Sequence, residues 1–157
     1  MGDVARELLE AFERHARVNE FLVETLPPDV WDAPSPSAGG RAIGEIVTHL
    51  LATQQRLAAL ATGERPDASD APALLTRDEA LAALRTCREQ LTSAFERALE
   101  RGEGTAGALP RRVVDTVTYL MQHDAHHRGQ ITRQARELGR PLQRDDVLRM
   151  FGWLELP

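Results

Sequence analysis

Apolar residues recur along the chain at intervals of three and four, the spacing that places them on one face of an α-helix. Val4, Leu8, Phe12, His15, Val18, Leu22 and Thr25 or Leu26 form the first such face, which predicts a helix over residues 3–26 with Asp3 as its N-cap. Pro27-Pro28 ends it, because proline lacks the N–H and restricts the residue before it. A connection rich in Pro, Ser and Gly follows over 27–40, and Trp31 within it is expected to fold back over a helix end. Ala42, Ile46, His49, Thr53, Leu57 and Leu60 predict a second helix over about 41–61, widened by Ile43, Val47, Leu50 and Leu51 and closed by Gly63.

After a Pro- and Asp-rich loop over 63–75, Thr76-Arg77-Asp78-Glu79 has the form of a capping box that starts a third helix. Leu81, Leu84, Leu91, Phe95 and Leu99 mark its buried side, and glycines at 102, 104 and 107 end it. Pro110 is expected to open the fourth helix, where a missing N–H costs nothing. Val113, Val117, Leu120, Ile131, Ala135 and Leu138 carry the stripe of that helix to Gly139 and Pro141. The tail, with Leu142, Val147, Leu148, Met150, Phe151 and Trp153, is apolar enough to pack on the bundle as a short helix or coil. Four long amphipathic helices without a solenoid period predict an all-α four-helix bundle in a single domain over residues 1–157.

Composition agrees. Aromatics are 4% of the 157 residues, and Leu and Ala, good helix formers, recur throughout. The net charge of −5, from 24 acidic and 19 basic residues with no long basic run, gives no footprint for nucleic acid. One cysteine, Cys87, excludes a disulfide within the chain; beside the Leu84–Leu91 seam it reads as a buried, inert thiol. The N-terminus does not have the form of a signal peptide, and no stretch reaches the ~20 apolar residues that span a bilayer. A cytoplasmic protein is expected.

The chemistry lies in the five histidines. His123 and His127, four apart in a helix, stack on one face and interrupt the seam Leu120–His123–His127–Ile131. Two imidazoles in a dry interior repel if charged, and a divalent ion resolves this by taking their neutral lone pairs. The alternative is a hydrogen-bonded core pair or a polar interhelix patch. His49, also on the inward side of its helix, adds a third candidate ligand, and three histidines from two helices leave coordination positions open. His126 falls on a polar face, as a surface or supporting residue. His15 is either a satisfied core histidine or a group facing the site. Asp124 either orients an imidazole from behind or faces solvent. Glu45 either supports a ligand or is a first-turn acid favoured by the helix dipole. Arg128 either meets an anionic substrate or lies on the surface.

The segment His123-Asp124-Ala125-His126-His127-Arg128-Gly129-Gln130-Ile131 resembles the signature of the DinB-like superfamily, which includes the YfiT-like metal-dependent hydrolase group. Ile43-Gly44-Glu45-Ile46-Val47-Thr48-His49-Leu50 is similar to that family's other histidine segment, and the Leu-Pro-Pro-Asp-Val-Trp stretch and the tail around Trp153 also fit. The resemblance implies up-down-down-up connectivity, frequent homodimers, and a nickel or zinc ion on the positions of His49, His123 and His127. It also implies two functional classes. One is a transferase or isomerase dependent on a low-molecular-weight thiol (glutathione, mycothiol or bacillithiol), or a metal-dependent hydrolase. The other is a non-catalytic metal-binding or stress-related protein in which the ion is structural. Relatives often carry Ser or Thr at the position of Ala42, so the start of the second helix lacks its usual cap here.

Overall fold

The computed structural model describes residues 1–64 and 74–157; the middle of the predicted 63–75 loop lies outside them. Four long helices, α1 (Asp3–Thr25), α2 (Ile43–Thr62), α3 (Arg77–Glu100) and α4 (Val113–Glu137), are followed by the short α5 (Arg144–Met150). A single 3-10 turn, Pro28–Val30, lies between α1 and α2, and the described residues contain no strand.

Contacts between the helices give their directions. Glu24 and Glu20 of α1 pair with Arg85 and Arg88 of α3, while Phe12 packs edge-on against Phe95 with ring centroids 5.3 Å apart, so α1 and α3 are antiparallel. Two layers of core complete the assignment. At one end Leu22 and Leu26, Ile43 to Leu51, Ala80 to Cys87, and Ile131 and Ala135 pack together. At the other end Leu9 and Phe12, Ala58 and Ala61, Leu91 to Ala98, and Val113 to Leu120 do so. Chain numbers therefore rise in one direction along α1 and α4 and in the other along α2 and α3. The bundle is up-down-down-up.

Helix ends differ from the sequence expectation where local signals compete. Gly2, not Asp3, is the N-cap of α1; Asp3 sits in the first turn and pairs with Arg6 at 2.8 Å. Val4 is 81% exposed, so the buried stripe of α1 effectively starts at Leu8 and Leu9. α2 starts at Ile43 with Ala42 as N-cap, and the Glu45 carboxylate accepts from the Ala42 N–H at 2.7 Å. Only that half of a capping box is available to alanine, which has no side-chain acceptor. The Thr76–Glu79 capping box of α3 forms in full. α4 starts at Val113, three residues after the expected Pro110.

That late start has a cause in packing. The connection after α3 is drawn onto the C-terminal end of α2, where the Ala108 N–H donates to the Leu60 carbonyl at 2.7 Å. Gly107, at φ +54°, lies so close that a Cβ would run into the Leu60 and Ala61 carbonyls. Leu109, Pro110 and Arg111 then form a lip against α2 before the helix begins.

Trp31 folds back as expected. It is buried, donates its indole N–H to the Leu75 carbonyl at 3.0 Å, and lies against Gly44. In the tail, the expected short helix forms and Leu142 and Met150 pack on the core, while Phe151 and Trp153 stay 74% and 78% exposed.

Candidate metal centre

α2 and α4 cross with His49 facing His123 and His127. One ring nitrogen from each of the three histidines falls within 4.8 Å of the others. The ring centroids are 4.5 Å apart for His123–His127, 5.0 Å for His49–His127 and 5.7 Å for His49–His123. Small side-chain rotations would bring such a set to zinc–nitrogen distances of about 2.0–2.1 Å. His127 is buried, and His123 and His49 are partly exposed.

Hydrogen bonds set which nitrogen is available. His123 Nδ1 lies 3.1 Å from Asp124 Oδ1, and an ionised carboxylate only accepts, so that nitrogen carries the proton. His127 Nδ1 lies 2.9 Å from Gln130 Oε1, and by the same logic donates. Both rings then present Nε2 lone pairs. Gln130 is itself oriented by donating its amide N–H to His126 Nε2 at 3.0 Å, which gives exposed His126 a supporting role outside the cluster.

Burial lowers the pKa of His49, and the positive charge of Arg41 and neighbouring His123 push it the same way. Burial also lowers that of His127; the Gln130 bond opposes this, while the neighbouring histidines add to it. Both are held toward the neutral form that a metal requires.

Behind the cluster, Asp124 is 1% exposed, which removes the solvent-facing alternative. Its Oδ2 accepts from Asn19 at 2.7 Å, Gln54 at 2.9 Å and His15 at 3.1 Å, and its Oδ1 from His123. Burial works against ionisation of this carboxyl, but the bonds from His123, His15 and Asn19 outweigh it and hold the pKa well below the usual carboxylate range. Three helices, α1, α2 and α4, are joined through one carboxylate.

The remaining candidates separate cleanly. His15 is a satisfied interior residue, with Nε2 on Asp124 and Nδ1 3.5 Å from Arg128 Nη1. Arg128 is partly buried and donates to Asn19 Oδ1 at 2.6 Å, so its guanidinium braces the network. Glu45 is occupied by the α2 N-terminus. Cys87 is buried, and desolvation pushes its thiol up to about 11.

Three residues of the network, Asn19, Gln54 and Gln130, were not anticipated from sequence. Asn19 and Gln54 are buried polar residues on otherwise apolar faces, and Gln130 is one turn from both His126 and His127. Asp124 could have been placed by spacing: Val117, Leu120, Asp124 and Ile131 lie on one buried stripe.

Fold and cluster together define an all-α bundle that carries a three-imidazole site capable of coordinating a metal ion. The model of the DinB family matches residues 1–154, and the chain belongs to that family. No curated protein matches the chain.

Proposed function

We propose that the protein holds a divalent metal ion, nickel or zinc, on His49, His123 and His127, and that it is a metal-dependent enzyme acting through a low-molecular-weight thiol or through water. The observation that carries this is the convergence of three ring nitrogens within 4.8 Å, two of them freed by hydrogen bonds on the opposite ring nitrogen. The donor set fits the group: neutral imidazoles suit borderline divalent metals, and the carboxylate and amide behind them are partners that metal-bound histidines ordinarily have. When bound, such an ion would act as a Lewis acid that favours the thiolate or hydroxide form of a small nucleophile.

The chain's own residues divide the remaining work. Asp124 and Gln130 orient the imidazoles, Asn19, Gln54 and His15 hold Asp124, and the cavity beside His49 gives a small molecule access.

The second reading, a structural ion in a non-catalytic protein, is weakened by Asp124. Its hydrogen bonds already join α2 to α4 and α1 to α4. We also propose a homodimer, supported by exposed Phe151, Trp153 and Leu154; a monomer mass across a wide concentration range in light scattering would overturn it.

Titration of the cobalt(II)-loaded protein with glutathione, mycothiol and bacillithiol tests the enzyme reading. A sulfur-to-cobalt absorption band is expected with at least one. A loaded site that no thiol enters, with no turnover of thiol-dependent substrates, rules out the transferase form. If metal removal melts the bundle and the loaded site excludes water as well, the ion is structural.

A further inference from the structure

The cavity beside His49 combines cationic and apolar side chains next to the histidine cluster. It measures about 440 Å³, in the range of small-molecule sites. It extends along α2 from His49 to Leu60, eleven residues or about 16 Å of helix. Its far wall comes from the α3–α4 connection and the first turns of α4.

Leu57, Leu60 and Leu109 give it an apolar body, and the Tyr119 ring, stacked on His123 with centroids 5.6 Å apart, continues that wall toward the cluster. Two guanidiniums line it, Arg56 from α2 and Arg111 from the connection, and among the described residues no carboxylate does. In a chain of net charge −5 this is a local excess of positive charge.

Neither arginine has a carboxylate within ion-pair distance among the described residues, so both guanidiniums are open to an acidic ligand. Arg111 instead lies over the Tyr119 ring at 5.1 Å, which fixes its side chain on the cavity wall. The cavity beside His127 differs: there Glu137 accompanies Arg41 and Arg133.

Arg56 follows His49 by seven residues, two helical turns, so it lies on nearly the same face about 10 Å further along α2. Ala52 and Thr53, about one turn beyond His49, line the space between, and Leu57 lies next to Arg56.

We infer that this cavity binds a small organic acid with an apolar body, its acidic group on Arg56 and Arg111 and its other end directed at the His49–His123–His127 cluster. This deepens the metal-dependent reading proposed above and names the substrate class it would take. The direction follows from the lining: the charged and metal-ligating groups are the guanidiniums and the imidazoles, and Ala52, Thr53 and the Tyr119 ring lie between them, with Leu57 and Leu60 beside the guanidiniums. Guanidinium is suited to carboxylate through paired N–H donors, and its placement at the exposed end keeps most of its hydration.

The binding step needs no ion, so it is tested first on metal-free protein. Calorimetric titration at low ionic strength with octanoate and with 1-octanol compares the same apolar body with and without charge. Octanoate is expected to bind about tenfold more tightly or better, with the preference reduced by salt. The double variant Arg56→Ala/Arg111→Ala, altered at two exposed positions, should bring the two ligands within about twofold of each other while leaving octanol binding in place. Equal affinities in the unaltered protein, or a preference for the acid that survives the double substitution, overturns the assignment.

The second arm uses cobalt(II)-loaded protein and ω-mercapto acids of increasing length. A sulfur-to-cobalt band should be strongest at a sulfur-to-carboxylate span of about 10 Å, and the optimum should vanish in the double variant. Octanoate binding that depends on the arginines, in a protein whose three histidines take up no metal, would overturn the metal reading and keep the acid site.

Discussion

Replacing Asp124 with Asn tests the link between the buried network and the nitrogens proposed to face the metal, because it changes charge and one acceptor while preserving volume. Oδ2 accepts three hydrogen bonds, from Asn19, Gln54 and His15, whereas Oδ1 accepts one, from His123. An asparagine amide satisfies more partners with its oxygen in the Oδ2 position and its NH2 toward His123. There it meets a donor, and His123 can answer only by moving its proton to Nε2, the nitrogen proposed to hold the metal. Hydrogen bonds to a charged acceptor contribute about 1.5–3 kcal/mol each and neutral ones about 0.5–1.5. Burying an amide in place of a carboxylate recovers part of the difference, so a net loss of about 2–4 kcal/mol is expected for the metal-free protein in urea unfolding. Metal affinity should fall about 10–100-fold, the usual cost of losing the partner behind a ligand imidazole. The sign with pH follows from the depressed carboxyl: its stabilisation is present above the unfolded value near 3.8 and is lost as pH falls toward the lower folded value. Asp124→Asn should therefore flatten the acid limb of the stability profile. Metal affinity equal to that of the unaltered protein, with a stability change below about 0.5 kcal/mol, would refute the reasoning.

Further outcomes follow from other parts of the structure. Because folding lowers the pKa of His49 and His127, the metal-free chain should lose stability as pH falls from about 6.5, through these residues binding more protons when unfolded; thermal melts of wild type against His49→Ala and His127→Ala measure it. Cys87, buried and raised to about 11, should resist iodoacetamide at pH 8 in the folded protein and react in denaturant; rapid labelling without unfolding would contradict its placement. Gly44→Ala places a Cβ 2.7 Å from the Trp31 indole nitrogen, so it should displace the indole from the Leu75 carbonyl and cost about 1–3 kcal/mol, read by tryptophan fluorescence and urea unfolding.

Much of this arrangement is legible in the amino-acid order because it rests on helical periodicity. The stripes through Leu22, Ile46, Leu84 and Ile131 are long and regular, and each is buried. Thr76 to Glu79 begins a helix by a local mechanism that needs no tertiary partner. Periodicity also placed His49, His123 and His127 on inward faces, which the three-dimensional arrangement brings together. What sequence did not reveal depends on contacts between distant segments. Pro110 is a good first helical residue, yet hydrogen bonding of Ala108 to Leu60 holds this stretch on α2 and delays α4 to Val113. The opposed roles left open for Asp124 were decided by donors 70 and 105 residues away, Gln54 and Asn19. Leu57 and Leu60, expected in the core, are only partly buried because they line the cavity beside His49.

The most direct test of the central claim is metal stoichiometry in wild type and in the single variants His49→Ala, His123→Ala and His127→Ala, with circular dichroism confirming that each remains helical. One ion per chain in the wild type, bound through three imidazole nitrogens by X-ray absorption, and lost occupancy in all three folded variants, is the predicted result. Full stoichiometric binding in the folded His127→Ala protein, or no uptake of nickel or zinc by the wild type, would contradict it.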